Sequence, residues 1–382
     1  MRILHLDPDD IDSPLAGGGP VRTFEICRRL ARRHEVTVLT PTFPGSTPEK
    51  LREGVRYLRL GRRVREHGSS HHLTYLAALP RAVRRHPHDL LVEDFMPPCS
   101  VTWVPLFLPA PRTRIASVQW FFAREYTSWL KLPFHWGEHV GLRLHRHFVV
   151  LTEAMQRTIE RRRPGAVCRM LPNGVDERLF AQPLQAGRDL LFLGRLEIQQ
   201  KGLDLLLQAL ARIAPAQRPT LYLAGNDQEP AALARWLADT GTGAHVRCLG
   251  PVDAAGRAHW LQRCRAVVVP SRYETFGMVI AEAEAAGTPV IVWDEAPMNE
   301  VASPAARRVP AFDVAALAQA MRDAVDEPDE AVLQRGEAAR RHARRYDWDR
   351  IAAAQEAFYE EVHEAVRTRR PLPATALGSA PR

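Results

Sequence analysis

The sequence predicts an α/β protein made of two doubly wound, Rossmann-like domains. Three observations carry that reading. Short apolar runs alternate with amphipathic helical stretches along most of the chain, the pattern of parallel strands joined by helices. The pattern restarts after Ala181–Arg188, a stretch with linker character. The length, 382 residues, is more than one ordinary domain holds.

The elements follow in order. Ile3–Leu6 is a short apolar strand. The loop Asp7–Gly19 ends in Gly17-Gly18-Gly19, and Pro20 suits the first position of a helix. Val21, Phe24, Cys27 and Leu30 then recur at helical spacing. Val36–Leu39 is a strand, and Val55–Leu60 alternates as an exposed or edge strand does. Thr74–Arg85 reads as a helix, and Asp89–Val92, Ile115–Val118 and Phe148–Leu151 as strands. Thr152 caps a helix reaching to about Arg163, and Cys168–Leu171 enters the turn Pro172-Asn173-Gly174. Beyond the linker come the strands Leu190–Leu193, Thr220–Ala224, Val246–Leu249, Ala266–Pro270 and Val290–Val292. Between them stand helices at Gly202–Ile213, Pro230–Thr240, Ala254–Cys264 and Gly277–Gly287. Asp313–Arg367 is helical. Domain boundaries are expected at 1–182 and 183–345, with a helix at about 346–367 packing back on the first domain and a proline-rich disordered tail at 368–382. Two such sheets would present the C-terminal ends of their strands to a cleft.

Composition narrows the class. An apolar content of 46% with 25% charged residues is that of a soluble globular protein. Five scattered cysteines with no C-x-x-C pair predict neither a zinc site nor a disulfide framework, and fit a reducing cytosol. Met1–Leu6 leads straight into a strand, which predicts no signal peptide, and no apolar run has transmembrane length. Residues 1–180 hold 28 Lys and Arg against 18 Asp and Glu. That excess fits an anionic acceptor or an anionic membrane surface; solvated arginines on helix faces explain it equally. The expected location is cytoplasmic or peripheral at the inner membrane face, with no nucleic-acid partner.

The chain is organised around Ser271–Trp293: a strand end, a tight loop, a helix closed by Gly287 and Pro289, and a strand. Glu274 lies in the loop, where backbone N–H groups are free, and Glu282 a turn and a half into the helix. This suits a ligand carrying both an anion and hydroxyl groups. Two further stretches look anion-binding. Gly17-Gly18-Gly19 precedes a helix, which also describes an ordinary strand–helix loop. Gly194-Arg195 follows a buried strand and Lys201-Gly202 precedes a helix, so two cations stand where they could neutralise a diphosphate leaving group.

Together, Gly17-Gly18-Gly19, Pro172-Asn173-Gly174-Val175-Asp176, Gly194-Arg195, Lys201-Gly202, Ala224-Gly225, Leu249-Gly250 and Glu274-Thr275-Phe276-Gly277 with Glu282-Ala283 and Gly287-Thr288-Pro289-Val290 resemble the retaining GT-B glycosyltransferases of family 4. The resemblance implies a sugar transfer from a nucleotide diphosphate-sugar, UDP favoured over GDP, to a hydroxyl on a small molecule, a lipid-linked intermediate or another sugar, with no cofactor. By that resemblance Arg195 and Lys201 hold the donor diphosphate and Glu282 the ribose hydroxyls. Glu274 and the amides of Phe276, Gly277 and Met278 grip the transferred sugar and phosphate. Gly18 and Gly19 close over the diphosphate, Gly194 is a further donor-binding residue, and Gly225, Asn226, Pro251 and Val252 line the base pocket. Glu282 could instead be a solvent-facing helix residue, as Glu284 is expected to be, and Glu274 a dipole partner of the helix N-terminus. The sequence is read as holding no Asp-x-Asp motif, which fits metal-independent chemistry, and the expected metal set is none.

Two departures bear on the chemistry. Many relatives carry a histidine after the fourth strand of the first domain; here Gln119 and Trp120 follow Val118. Glutamine can hydrogen-bond a sugar hydroxyl but does not titrate near neutral pH. Glu93 and Asp94 are then either an acceptor-side carboxylate pair or a capping and turn pair. The loop from Trp293 to Glu300 is bulky where relatives often have two glycines, which should alter the donor-sugar pocket. Acceptor recognition falls to Glu93, Asp94, Trp120 and Arg124, within an aromatic crowd that includes Phe121, Phe122, Tyr126, Trp129, Phe134 and Trp136; core packing accounts for such rings as well. The rival readings are a catalytically silent nucleotide-sugar-binding subunit, a sugar-nucleotide epimerase, or a phosphorylase. The last needs a pyridoxal lysine, and Lys201 alone is available in the second domain.

Overall fold

The computed structural model describes every residue except 15, 63–69, 97–98, 102, 108–112, 122–126, 128–130, 132 and 375–382. The chain divides into two compact units, residues 1–173 with 348–382, and residues 174–347. The stretch Ala181–Arg188 lies inside the second unit. There the Val175 N–H donates to the Tyr346 carbonyl at 2.8 Å, tying the start of that unit to its end.

The first unit is an eight-stranded sheet. Its strands are β1 (Arg2–Leu6), β2 (Glu35–Pro41), β3 (Glu49–Arg52), β4 (Val55–Leu60), β5 (Leu90–Asp94), β6 (Thr113–Val118), β7 (His147–Val150) and β8 (Val167–Met170). They run in the order β3-β4-β2-β1-β5-β6-β7-β8. All neighbours are parallel except β3 and β4. β4 is therefore not the edge strand its alternation suggested. Glu53 and Gly54, with φ of 45° and 82°, turn β3 onto it as a two-residue hairpin. Strand order reverses between β1 and β5, which makes the C-terminal ends of those strands the natural ligand edge.

The helix Trp348–Thr368 completes this unit. Its Trp348, Ile351, Phe358, Tyr359 and Val362 join the core with Phe24, Ile26 and Val36. The buried Arg22 guanidinium pins it, donating to Gln355 Oε1 at 2.9 Å and to the Pro172 carbonyl at 2.6 Å. Burial pulls the Arg22 pKa down to about 10.

The second unit is a six-stranded parallel sheet of β9 (Leu190–Leu193), β10 (Leu221–Ala224), β11 (Val246–Gly250), β12 (Ala266–Val269), β13 (Val290–Trp293) and β14 (Arg307–Val309), in the order β11-β10-β9-β12-β13-β14. β9, β12 and β13 are apolar throughout and fully buried, as the interior strands of a sheet covered on both faces must be. The order reverses between β9 and β12. Among the described residues no helix is long and apolar enough to cross a membrane.

Candidate functional site

In the second unit the residues singled out from the sequence gather at the C-terminal ends of β9, β10, β11 and β12. The backbones there pack with no room for side chains. A Cβ on Gly225 would sit 1.7 Å from the Gly194 carbonyl oxygen, and one on Gly202 2.0 Å from the Pro270 carbonyl oxygen. Gly202, at φ 66°, ends the short helical turn Ile198–Lys201 and starts the helix Leu203–Arg212. This contact brings Lys201 against the end of β12.

Lys201 Nζ lies 2.7 Å from Glu274 Oε1, which also accepts from the Ser271 hydroxyl at 2.9 Å. Arg272 locks this arrangement. Its guanidinium forms a two-bond fork with the buried Asp204, both bonds 2.7 Å, and the Arg272 backbone N–H donates to the Gln200 carbonyl at 2.9 Å. Arg195 is about half exposed and lies 3.2 Å from Glu197. It is the more exposed of the two cations. Asn226 is exposed; its carbonyl accepts from the Leu196 N–H at 2.9 Å. Val252 is half-buried beside Asp253, which caps the next helix through the Gly256 N–H.

The helix Met278–Ala286 opens at Gly277. The Ile280 N–H donates to the Gly277 carbonyl at 2.9 Å, while the amides of Gly277, Met278 and Val279 before it have no intrahelical acceptor. The Phe276 ring turns away into the core, edge-on to Tyr346 at 5.5 Å, so only its backbone can meet a ligand. Glu282 Oε2 lies 2.5 Å from Arg257 Nη1. Burial holds the Glu282 carboxyl above its usual pKa, with Arg257 opposing.

Two expectations in this unit are corrected. Glu284 does not face solvent: it is fully buried, accepts the Ser303 N–H at 2.7 Å, and burial raises its pKa to about 7. The helix is short and covered on more than one side, so polar residues two apart both turn inward. Trp293 does not fill a loop: it ends β13 fully buried, its ring against Phe312 at 5.9 Å. Arg257 and Arg272 were missed in the sequence. Their partners lie 25 and 68 residues away, and no local spacing signals them.

In the first unit the helix Gly18–Leu30 begins two residues before Pro20, so Gly18 and Gly19 form its first turn. A Cβ on Gly19 would sit 3.3 Å from Gln119 Oε1. Gln119 Nε2 donates to Asp94 Oδ2 at 2.7 Å, and His5 Nε2 lies 3.0 Å from Asp94 Oδ1. The bond to Asp94 holds the amide with its oxygen toward the glycine turn. Burial, then the nearby Asp94, pushes the Asp7 carboxyl well above its usual range.

Glu93 and Asp94 do not act as one pair, because the pleat sends them to opposite faces of β5. Glu93 is buried 3.5 Å from His145, inside the strand rather than in a turn. Trp120 is half-buried; Arg124, Phe122, Tyr126 and Trp129 lie outside the described residues. Phe121 lies under the Arg162 guanidinium at 5.1 Å. Arg162 in turn lines a cavity of about 450 Å³ with His135, Trp136, Glu138, His139 and Val140.

The absence of Asp-x-Asp is also corrected, since the spacing occurs at Asp7–Asp9, Asp10–Asp12 and Asp347–Asp349. Asp10 and Asp12 are bound to Arg59 at 2.8 and 2.7 Å. Among the described residues His34, Glu356 and Glu360 alone bring three metal-type ligand atoms together, and Arg33 lies 3.3 Å from Glu356.

The two Rossmann-like sheets, each with its ligand edge at a strand-order reversal, define the GT-B class. A sucrose-phosphate synthase from Thermosynechococcus elongatus superposes with a TM-score of 0.81 over 95% of this chain and 99% of its own, at 21% identity. Anabaena HepE, solved in complex with UDP and glucose, does so with a TM-score of 0.72 over 94% and 99%, at 18% identity. These likenesses establish the fold. Residues 16–179 match the model for Glycosyltransferase Family 4, and residues 187–327 that for Glycosyl transferases group 1. The chain belongs to that family, the family 4 glycosyltransferases of the group 1 type. It is 33% identical over 200 residues to a D-inositol 3-phosphate glycosyltransferase of Jonesia denitrificans, covering 50% of this chain and 46% of that one. It is 34% identical over 205 residues to a phosphatidyl-myo-inositol mannosyltransferase of Mycobacterium leprae, covering 50% and 53%. The chain thus spans about half the length of the curated relatives it matches.

Proposed function

We propose that this protein transfers a sugar, with retention of configuration and without a metal, from a nucleotide diphosphate-sugar to a hydroxyl acceptor. The observation that carries the reading is the Lys201–Glu274 pair, held by Arg272 at the strand-order reversal of the second sheet. A salt bridge at a ligand edge is a poor stabiliser of the fold but a ready receptor. An arriving diphosphate takes Lys201, and Glu274 is released to accept from sugar hydroxyls. As the bond to the leaving phosphate breaks, Lys201, Arg195 and the open amides of Gly277 and Met278 meet the developing charge. Glu282, already drawn against Arg257, accepts from the ribose hydroxyls. A retaining transfer passes through an oxocarbenium-like state. In this reading the departing phosphate takes the acceptor proton, because Gln119 cannot.

UDP is the favoured nucleotide, supported by the UDP complexes of HepE. A cyclitol or lipid-linked cyclitol acceptor is suggested by the relatives' names. The cavity beside Arg162 and Trp136, aromatic with a few polar groups, suits such a ring. The test is a panel of UDP-, GDP-, ADP- and TDP-sugars with inositol acceptors, read by thermal shift and by turnover in parallel. A donor that raises the melting temperature and is consumed supports transfer. Stabilisation without turnover across the panel assigns a silent binding subunit instead.

A further inference from the structure

We propose that His5 and Asp94 are positioning residues that decide which atom of the Gln119 amide meets a substrate, so that the first unit selects a hydroxyl able to donate a hydrogen bond. The proposal rests on the sugar-transfer reading and adds to it the polarity of one contact. A buried chain of hydrogen bonds crosses three neighbouring strands. His5 is on β1, Asp94 ends β5 and Gln119 follows β6. Cys27 and Thr23 reach them from the helix Gly18–Leu30. Cys27, His5, Thr23 and Asp94 are each no more than 3% exposed.

The direction of the chain is set at its innermost end. Burial pushes the Cys27 thiol well above its usual range, so it keeps its proton. Its sulfur lies 3.8 Å from His5 Nδ1, and a thiol beside that nitrogen donates to it. The imidazole proton then sits on Nε2, which donates to Asp94 Oδ1 at 3.0 Å. Asp94 Oδ2 accepts from Gln119 Nε2 at 2.7 Å and from the Thr23 hydroxyl at 3.4 Å. Both carboxyl oxygens are occupied as acceptors, so the amide meets Asp94 through its NH2 group. Its oxygen is left toward Gly19, where a Cβ would stand 3.3 Å away. Among the described residues nothing donates to that oxygen. An amide oxygen held in this way accepts and cannot donate. A hydroxyl satisfies it. A fluorine in the same place leaves it unpaired, at a cost of about 10- to 100-fold in binding or rate.

The test compares, on the full chain, singly fluorinated nucleotide-sugars and singly fluorinated cyclitol acceptors, each against the unmodified compound. The parent protein should reject one fluorinated compound, in kcat/KM, at least about tenfold more strongly than Asp94→Asn does. The intrinsic effect of fluorine on transfer is common to both proteins and cancels. The series in which the difference appears tells whether donor or acceptor carries the hydroxyl. In Asp94→Asn the carboxamide still accepts from His5 but turns an NH2 group to Gln119, whose amide must turn over and present its own NH2 outward. His5→Phe releases Asp94 Oδ1 and should weaken the discrimination as well; it is read in place of Asp94→Asn if circular dichroism shows that variant unfolded. Independently of turnover, the Gln119 side-chain amide is identified by NMR as the signal lost in Gln119→Met. It should exchange with solvent at least about tenfold more slowly in the parent than in the variant read. Equal discrimination in parent and variant overturns the proposal, as does a Gln119 amide that exchanges equally in both. Absence of turnover with every donor defeats the sugar-transfer reading instead, and the amide exchange then decides for or against the positioning by His5 and Asp94.

Discussion

Replacing Glu284 with glutamine should change how stability depends on pH. Glu284 is wholly buried on the helix Met278–Ala286, and its carboxyl oxygen Oε1 accepts the Ser303 N–H. Burial is the main cause of its raised pKa, with the Ser303 bond and then Arg345 and Arg308 pulling the other way. Its value moves from 4.5 to about 7. At about 1.4 kcal/mol per unit, the two protonation states differ by roughly 3 kcal/mol. The folded state binds the proton more tightly than the unfolded one. The contribution is therefore full below about pH 4.5 and is lost as pH rises through about 7. Glutamine keeps the acceptor for Ser303 but cannot ionise. Its amide donors meet the side of the carboxylate where Oε2 has no hydrogen-bond partner, a pH-independent cost of about 1–3 kcal/mol. The stability difference between Glu284→Gln and the parent should thus move by roughly 3 kcal/mol in favour of the variant between pH 4.5 and 8, whatever its starting value. Urea unfolding followed by circular dichroism across that range measures it. A difference that stays flat with pH would refute the argument, because it would mean Glu284 titrates alike folded and unfolded.

Other perturbations test the site. Lys201→Ala should lower turnover by about 10²-fold or more while leaving the melting temperature within a few degrees, since the pair is partly solvated; turnover within twofold of the parent would remove Lys201 from leaving-group stabilisation. Activity should persist in excess EDTA, and loss of activity restored by Mg²⁺ or Mn²⁺ would overturn the metal-independent reading. Gly202→Ala forces a side chain onto the Pro270 carbonyl at φ 66°. It should destabilise the second unit by about 2 kcal/mol or more and depress turnover with it, because the same turn carries Lys201; unchanged unfolding in urea would show that the contact relaxes freely.

Most strands of the two sheets were legible, best where they are continuous apolar runs such as β9, β12 and β13; β14, Arg-Arg-Val, carries no such run and was not read as a strand. Leu190–Leu193 has the same bounds in sequence and structure, and β12 and β13 differ by one residue at one end. The helix ends Thr152 and Gly287 were legible because capping is a local device that depends on neighbours three or four residues away. β3 was not legible, because Glu-Lys-Leu-Arg has no strand signal and Glu53-Gly54 is not a usual hairpin turn.

At the site, Glu274, Lys201 and Arg195 could be named from the sequence because their charge stands beside predicted strand ends and helix starts, and Glu282, inside its helix, through the family resemblance. What the sequence alone determined is therefore the alternation of elements and the identity of the charged groups at their ends. Only the tertiary structure decided what those groups touch. It closes Lys201 on Glu274 and Arg257 on Glu282, splits Glu93 from Asp94 across β5, and turns Glu284 and Trp293 inward. Periodicity reports which residues share a face, whereas partners come from crossovers between strands distant in the chain, and those are fixed by packing.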